Sequence, residues 1–405
     1  MARELNIVVV SDVHAFDGDL LDEAAPSYYS IRPEYQIYDN KNPFRAIGRV
    51  LSAAGLKTDW VLCPGDLADR AHPTAQDNVW RALENLKGET GARVLLATVG
   101  NHDVDSRLKF DEFDTKGALQ SLTPFFPGLP ETQCDFFWSR NFALYEETDV
   151  RLLIVNSSAF HGINSDDPSR VSVAEYQHGR VSDRTIGAIL KMLPASAKQL
   201  NILLTHHHFY KNERLAPKDY STMINGTKLV EELKRATGAC WFILHGHQHY
   251  PDIFYAPGAS TSPIIFSAGS LARRLNELRR ESANQFYHIS FPIDQYDTLG
   301  WPTCGVCHAW DWVPDEGWKP ARDVAKIPRR AGFGCRNSPV LLARQIGAIV
   351  GEDASNWNDI VASIPELKYA LPSDLREIEN ALSGMRILVY GKPFIERCQV
   401  CRERI

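Results

Sequence analysis

The sequence predicts a layered α/β domain followed by a smaller, α-rich C-terminal region. Two observations lead to this fold class: short apolar runs alternate with helical stretches as far as about residue 295, and the composition shifts toward Trp, Pro and Cys after Asp297. Strands that alternate with helices are typical of α/β architectures. At 405 residues the chain is also longer than one core usually supports. We therefore predict a first domain over residues 1–296 and a small C-terminal region over residues 297–405.

The apolar runs of the first domain are predicted to be buried strands, because continuous runs of Val, Ile and Leu need cover on both faces of a sheet. These runs are Leu5–Val10, Trp60–Leu62, Arg93–Val99, Arg151–Val155, Leu200–Thr205, Cys240–Leu244, Pro263–Phe266 and Phe286–Phe291. Helical patterns between them cover Pro43–Ala54, Asp77–Lys87, Asp183–Met192 and Lys228–Ala236. Residues 15–42 and 104–145 are too long for simple turns, so we expect them to form walls or lids over a site at the strand ends.

The C-terminal region has helical patterns at Val340–Val350 and Asp374–Leu382 and a strand-like apolar run at Arg386–Tyr390. Large aromatic side chains are usually packed, so its tryptophans are predicted to dock on the first domain rather than to form a binding face. They are Trp301, Trp310, Trp312 and Trp318.

Composition excludes several classes of protein. The formal net charge of -6 gives no global electrostatic reason to expect nucleic acid or an anionic membrane as a partner. No apolar run approaches the roughly 18–20 residues of a membrane helix. The first run is broken by Asp12 and is too short for a secretory signal. We therefore expect a cytoplasmic protein without a membrane partner, and the oligomeric state stays unknown.

The eight cysteines are too sparse and too unevenly spaced for a disulfide framework, so reduced thiols are expected. Two Cys-x-x-Cys pairs raise the alternative of a structural zinc site. They are Cys304 with Cys307 and Cys398 with Cys401. Because about 90 residues separate the pairs, free thiols are favoured.

Five clusters of metal-ligand residue types each directly follow an apolar run. They are Asp12-Val13-His14, Gly65-Asp66-Leu67-Ala68-Asp69, Gly100-Asn101-His102-Asp103, Thr205-His206-His207-His208 and Gly246-His247-Gln248-His249. Any one alone is compatible with an ordinary turn, since Asp, Asn and Gly are common after strands for backbone reasons. Together, at the carboxyl ends of strands where open α/β sheets place their sites, they indicate one functional centre.

The order of these clusters resembles the pattern of the calcineurin-like metallophosphoesterases: D-x-H, G-D-x-x-D, G-N-H-D/E, a His after a strand, and G-H-x-H. Every element is present over residues 5–290, and the resemblance stops before the last hundred residues. It implies a sandwich of two mixed sheets flanked by helices, with two divalent metal ions at the strand ends. It places Asp12, His14, Asp66 and His249 on one ion, and Asp66 again with Asn101, His206 and His247 on the other.

Carboxylate and amide oxygens mixed with imidazoles suit Mn, Fe or Zn better than an oxygen-only Mg or Ca cage, and we favour Mn. Within the triple-histidine run, His206 is favoured over His207 because only His206 directly follows the strand. His14 and His249 each lie two residues beyond another ligand, so on extended segments each would point the same way as its partner.

The resemblance gives His102 a catalytic role, protonating the leaving oxygen, and imidazole is the usual side chain for this task near neutral pH. Asp69 and Asp103 are expected to orient histidines as hydrogen-bond acceptors. Three arginines are candidates to neutralise further phosphate charge, although an ordinary surface role is at least as well supported. They are Arg70, Arg273 and Arg274.

The function implied by the resemblance is hydrolysis of a phosphate ester by a hydroxide that bridges the two metal ions. A phosphodiesterase acting on a small diester is favoured, because GDLADR, GNHD and SAGSL most resemble that branch. A repair-type DNA or RNA nuclease and a phosphomonoesterase stay open, so nucleic acid is a partner that is not favoured. A non-enzymatic regulatory module on the same fold is disfavoured because all seven ligand positions hold the expected residue types.

Overall fold

The structure is a computed structural model that describes residues 3–162, 178–194, 198–211, 221–258, 261–274, 283–295, 303–391 and 398–403. Its strands are β1 Glu4–Val9, β2 Trp60–Cys63, β3 Val94–Ala97, β4 Phe142–Glu146, β5 Val150–Val155, β6 Leu200–Leu204, β7 Trp241–His245, β8 Asp252–Tyr255, β9 Ile264–Ser267, β10 Gln285–Pro292, β11 Gly305–Val313, β12 Gly317–Pro320, β13 Arg330–Phe333, β14 Ser355–Asn356, β15 Ile387–Tyr390 and β16 Gln399–Arg402. Its α-helices are α1 Pro33–Gln36, α2 Ile47–Ala53, α3 Pro73–Thr90, α4 Gly117–Gln120, α5 Glu131–Arg140, α6 Asp183–Met192, α7 Gly226–Thr237, α8 Pro339–Ile349, α9 Trp357–Ser363 and α10 Pro372–Gly384. Every strand and helix predicted for the first domain is present, with ends shifted by a few residues.

The first large sheet has the order β12-β11-β10-β1-β2-β3, and β13 pairs with β11. Strands β1, β2 and β3 are parallel, whereas β10 runs antiparallel to β1. The side chains of Val8 and Val9 are both fully buried although they point to opposite faces. Continuous apolar residues in β1 therefore reflect cover on both sides of this sheet, with α3 packing along β2 and β3.

The second large sheet has the order β4-β5-β6-β7-β9-β8, with β5, β6, β7 and β9 parallel. Alternate residues of its strands divide between two cores. Leu152, Leu204 and Phe242 join the central core shared with the first sheet, whereas Leu153 and Ile243 pack with α6 and α7. The second sheet is therefore a middle layer, and the predicted sandwich of two mixed sheets flanked by helices is confirmed.

The two sheets place the loops of the five clusters at one edge of the sandwich. Strands β1, β2 and β3 are parallel neighbours in one sheet, and β6 and β7 are parallel neighbours in the other. The carboxyl ends of parallel neighbours lie together, so each sheet gathers its own clusters.

Strands β11, β12 and β13 extend the first sheet beyond the predicted domain boundary. The ring of Trp310 stacks on Phe286 of β10 at 4.7 Å with an interplanar angle of 4°, and Trp318 meets the same ring edge-on. These tryptophans dock on the first sheet as expected, whereas Trp301 lies outside the described residues. The boundary at residue 296 also falls outside them, and the division into domains stays a prediction.

Residues from 335 onward form a small domain with its own core. Helices α8 and α10 pack together beside the three-stranded sheet β14-β16-β15, and their buried side chains include Leu342, Ile378 and Val400. The Tyr255 hydroxyl fixes the entry to this domain, donating to the Cys335 carbonyl at 2.7 Å. Within the described ranges, no helix combines the length and apolar character that a membrane span needs.

The zinc alternative for the two Cys-x-x-Cys pairs is wrong. All four cysteines are described, and no cluster of metal-ligand atoms among the described residues includes a cysteine. Cys307 is buried in the central core, whereas Cys304 and Cys398 lie in the core of the small domain. None of the eight cysteines, all of which lie in the described ranges, forms a disulfide.

Candidate metal centre

Backbone hydrogen bonds join the loop after β1 to the loop after β2. The Asp12 N–H donates to the Gly65 carbonyl at 3.0 Å, and the N–H groups of Val13 and His14 donate to the Asp66 carbonyl at 2.9 and 3.1 Å. The ladder between these parallel strands thus continues past their ends. It brings the first two sequence clusters side by side through backbone contacts alone.

Glycine allows the second sheet to approach the first at Gly246. A Cβ atom at this position would clash with the Asp12 carboxylate and with Ser11. The Gly246 N–H donates to the His206 carbonyl at 3.1 Å, and the next residue, His247, donates its N–H to Asp12 Oδ1 at 3.0 Å. The glycine of G-H-x-H is therefore required for close approach between the sheets.

Most of the predicted ligands have left-handed backbone conformations, with φ of 52° at Asp12, 50° at His14, 57° at Asp66, 71° at His247 and 54° at His249. Such conformations are uncommon outside glycine and cost on the order of 1–3 kcal/mol each, and they cluster at functional sites. The expectation that these segments are extended is wrong. Each i, i+2 pair nevertheless faces one site, because the backbone turns sharply at both residues.

A first set of ligand atoms comes from Asp12, His14, Asp66 and His249, and all of them lie within 4.8 Å of one another. The His14 Nε2 atom lies 3.0 Å from His249 Nε2 and 3.4 Å from Asp66 Oδ2. The His249 Nε2 atom lies 3.3 Å from Asp12 Oδ1. Two nitrogens and two carboxylate oxygens therefore converge on one point.

A second set comes from Asp66, Asn101, His206 and His247. The Asn101 Oδ1 atom lies 3.0 Å from His206 Nε2 and 3.0 Å from His247 Nδ1, and these two nitrogens are 3.2 Å apart. The Asp66 Oδ2 atom lies 3.5 Å from His206 Nε2. The other carboxylate oxygen, Oδ1, accepts the His102 N–H at 2.7 Å. Asp66 Oδ2 is therefore directed toward both sets.

The electrostatics of the two sets favour bound cations. Burial lowers the pKa of His206 to about 4, so its imidazole is neutral and offers a lone pair. Burial, with the charges of Asp12 and Asp103, raises the pKa of Asp66 well above its ordinary value. A cation bound between these buried carboxylates would offset their mutual repulsion and favour the ionised form of Asp66. Neutral imidazoles with carboxylate and amide oxygens fit divalent transition metals.

The triple-histidine run divides its side chains between different surroundings. The His206 Nδ1–H donates to the Pro64 carbonyl at 2.9 Å, which leaves the lone pair of Nε2 facing the second set. His207 instead has its Nδ1 atom 2.8 Å from Ser157 Oγ. His208 belongs to neither set.

His102 lies at the rim of the first set, with 26% of its side chain exposed. Its Nδ1 atom lies 3.5 Å from Asp69 Oδ1, and the ring centroid is 4.7 Å from that of His14. Burial raises the pKa of Asp69, but the hydrogen bonds and charges of His102 and Arg273 more than offset this and hold it below its ordinary value. An ionised Asp69 therefore orients His102.

The three candidate arginines have different positions. Arg273 donates to Asp69 Oδ1 at 2.9 Å and is part-buried at the edge of the site. Arg274 donates instead to the Asp22 carbonyl at 2.7 Å, where it holds the segment after β1. Arg70 lies 3.6 Å from Asp69 and is 64% exposed.

Asp103 supports the loops rather than a histidine. Its carboxylate accepts the N–H groups of Asp66 at 2.8 Å, Leu67 at 2.7 Å and Gly100 at 2.9 Å. The prediction that it orients a histidine is therefore wrong. A buried carboxylate that accepts several backbone N–H groups fixes the relative position of the loops after β2 and β3.

Several supporting residues were missed from the sequence. Ser11 donates to the Asp12 carboxylate, and Ser270 donates to the Asp12 carbonyl at 2.5 Å. Gln76 of α3 donates to the Asp103 carbonyl at 2.8 Å. These residues carry no spacing pattern of their own, although Ser270 lies in the SAGSL motif.

The comparison with family models assigns the protein to a class. The model for calcineurin-like phosphoesterases matches residues 5–251, and the chain belongs to this family. The predicted resemblance is thereby confirmed. A second model, wHTH-Calcineurin_assc, matches residues 331–383, so the small C-terminal domain is a winged helix–turn–helix. A search of curated proteins finds no match.

Solved structures with a similar fold are distant in sequence. A single mutant of Vps29 from Entamoeba histolytica is 12% identical over 82% of this chain and 100% of its own, with a TM-score of 0.33. Purple acid phosphatase PPD1 from yellow lupin is 11% identical over 77% and 52%, with a TM-score of 0.46. NAD nucleotidase from Haemophilus influenzae is 12% identical over 72% and 47%, with a TM-score of 0.35. Similarity at this level carries no information on activity.

Proposed function

We propose that the protein is a dinuclear-metal phosphodiesterase that hydrolyses a small phosphodiester. The observation that carries the proposal is the pair of ligand sets that share the Oδ2 atom of Asp66. One divalent ion is held by Asp12, His14, Asp66 and His249, and the other by Asp66, Asn101, His206 and His247. Manganese fits this mixture of oxygen and nitrogen donors best, with iron and zinc as alternatives.

The chain's own side chains complete the chemistry around the ions. When bound, the two ions supply a nucleophile from water at neutral pH and neutralise charge on the phosphoryl group. His102 donates a proton to the leaving oxygen, a role that fits its part-exposed position at the rim. Asp69 holds the His102 ring by its Nδ1 side, leaving Nε2 to face the substrate. Arg273, fixed by the same carboxylate, adds a positive charge beside the phosphate.

The surface of the winged helix–turn–helix favours a small substrate over nucleic acid. In helix–turn–helix proteins the second helix of the motif enters the DNA groove, and here that helix is α10. It carries Asp374, Glu377 and Glu379 against one base, Arg376. A helix with this net negative charge is not attracted to the phosphate backbone, which supplies most of the affinity of nucleic-acid binding. We therefore infer that this domain does not grip a duplex through α10.

Hydrolysis assays on chelator-treated protein reloaded with Mn²⁺ test this proposal. We expect bis(p-nitrophenyl) phosphate to be cleaved faster than p-nitrophenyl phosphate, and single- and double-stranded DNA to be cleaved poorly. Preferential cleavage of the monoester would instead indicate a phosphomonoesterase. Efficient cleavage of DNA would indicate a nuclease, and absence of any hydrolysis with two ions bound would support the regulatory-module alternative.

A further inference from the structure

The side chain of His207 has a feature that packing does not explain. It is fully buried, and its Nδ1 atom lies 2.8 Å from Ser157 Oγ. Its Nε2 atom is also buried but has no hydrogen-bond partner in the part of the chain that the structure describes. A buried polar group without a partner costs roughly 1–3 kcal/mol. A histidine in this position is therefore expected to have a further function.

The His207 ring lies beside the two histidines of the second ligand set. One ring nitrogen each of His206, His207 and His247 lie within 4.8 Å of one another. The ring centroid of His207 lies 4.9 Å from that of His206 and 4.5 Å from that of His247. Since Ser157 already engages Nδ1, Nε2 is the nitrogen left for a ligand.

Contacts with Gly179 and Ser157 fix the position of the His207 side chain. A Cβ atom at Gly179 would approach the Cβ and Cγ atoms of His207 to 2.5 Å, so the backbone of Gly179 packs directly against this side chain. The His207 N–H donates to Ser157 Oγ at 3.3 Å, which fixes the serine to the same residue. These contacts limit rotation of the ring, and a hydrogen bond on the nitrogen that does not bind the metal, here Nδ1 with Ser157, is usual for metal-binding imidazoles.

We propose that His207 Nε2 is an additional ligand for the second ion, beyond Asp66, Asn101, His206 and His247. This inference rests on the proposed dinuclear function. It makes the second site richer in nitrogen than the first, which favours a borderline-soft divalent metal there over Mg²⁺. His206 and His207 then both bind the second ion, whereas the sequence favours only His206.

Two substitutions at His207 separate the roles of its nitrogens. The amide of asparagine reaches about as far as Nδ1, and that of glutamine reaches about as far as Nε2. We expect His207→Asn to keep the contact with Ser157 but to weaken binding of the second ion roughly 10–100-fold. His207→Gln should recover most of this affinity. His208→Asn, in the same buried tripeptide but outside the ligand sets, is the matched control and should bind both ions normally.

The measurement is a titration of chelator-treated protein with Mn²⁺, followed by electron paramagnetic resonance of the free ion, which yields two stepwise dissociation constants. Equal loss in the Asn and Gln variants, or wild-type affinity in the Asn variant, would overturn the inference while leaving the dinuclear proposal intact. Uptake of fewer than two ions by the wild type would overturn both. If His207→Asn does not fold, Ser157→Ala replaces it, because freeing Nδ1 should weaken the second ion selectively; unchanged affinity there would also count against the inference.

Discussion

The shared carboxylate makes Asp66→Asn the most informative substitution in the site. Asparagine keeps an oxygen that accepts the His102 N–H, so the loop after β3 keeps its anchor. The substitution replaces the charged Oδ2 atom, which faces both ligand sets, with a neutral amide NH2 group. At a separation of about 4 Å and an effective dielectric constant of about 20, one unit-charge interaction is worth about 4 kcal/mol. We therefore expect each ion to bind at least about 1,000-fold more weakly, with turnover reduced to background.

The same substitution should have the opposite effect on the metal-free protein. Asp66 is buried beside Asp12 and Asp103, and neutralising it removes repulsion among three carboxylates. In the presence of chelator, Asp66→Asn should therefore unfold at a higher temperature than the wild type, and it should gain little stability from added Mn²⁺. This pair of results distinguishes lost coordination from a damaged fold.

Elemental analysis and thermal melts with and without chelator provide the assay. The matched control is Asp311→Asn, which removes a buried carboxylate that lies on β11 and pairs with Arg322. We expect this control to lose stability but to retain both ions. Two ions per chain and normal turnover in Asp66→Asn would refute the assignment of Asp66 as the shared ligand.

Three further predictions address the acid, the approach of the sheets and the pH dependence of stability. His102→Ala should retain both ions but lower kcat by about 10²–10⁴, with a smaller loss for esters of acidic leaving groups; a loss independent of the leaving group would exclude the general-acid role. Gly246→Ala should lower stability by about 1–3 kcal/mol and weaken metal binding through its clash with Asp12, measured by urea unfolding and Mn²⁺ titration, whereas Gly187→Ala, which has open space around its Cβ, should be tolerated. Burial lowers the pKa of His308 to about 4, so as the pH falls the unfolded chain is protonated at this histidine before the folded protein is. The contribution of neutral His308 to the free energy of unfolding is therefore complete above about pH 6.5 and is lost as the pH falls toward 4. Between pH 7 and pH 5, the free energy of unfolding measured in urea should therefore fall by about 1–2 kcal/mol less in His308→Phe than in the wild type. An equal fall in both proteins would contradict this.

The fold of the first domain was largely predictable because its strands are buried on both faces. Runs such as Val8–Val10 are continuous in sequence, and the five polar clusters lie where parallel strands end. Strand β4 was missed because it is only half buried: Leu144 and Tyr145 are part-buried and Glu146 is exposed. Strand β8 was missed for a similar reason, since only Ile253 of its four residues is buried.

The side chains that meet at the strand ends were predictable from residue type and order, whereas the contacts that support them were not. Asp103 has the residue type of a histidine-orienting carboxylate, yet three backbone N–H groups converge on it. Those groups come from two loops whose spacing is set by the sheet and not by nearby residues. The left-handed backbone at Asp12 and His14 is likewise imposed by the ladder to the loop after β2, and no local sequence preference indicates it.

The strands after residue 303 show why composition misled the reading of the C-terminal region. Strand β11 contains His308 and Asp311, and buried polar residues of this kind do not look like a central strand. Asp311 is nonetheless satisfied, because it accepts Gln285 Nε2 at 2.7 Å and Arg322 Nε at 3.0 Å. Both partners lie on other segments, so the pattern becomes intelligible only when the sheet is assembled. Strand β11 pairs with β10 along Gln285–Ser290, so a fragment that ends at residue 296 would leave this edge of β10 unpaired. We therefore expect the folding unit that contains the metal centre to extend through β13.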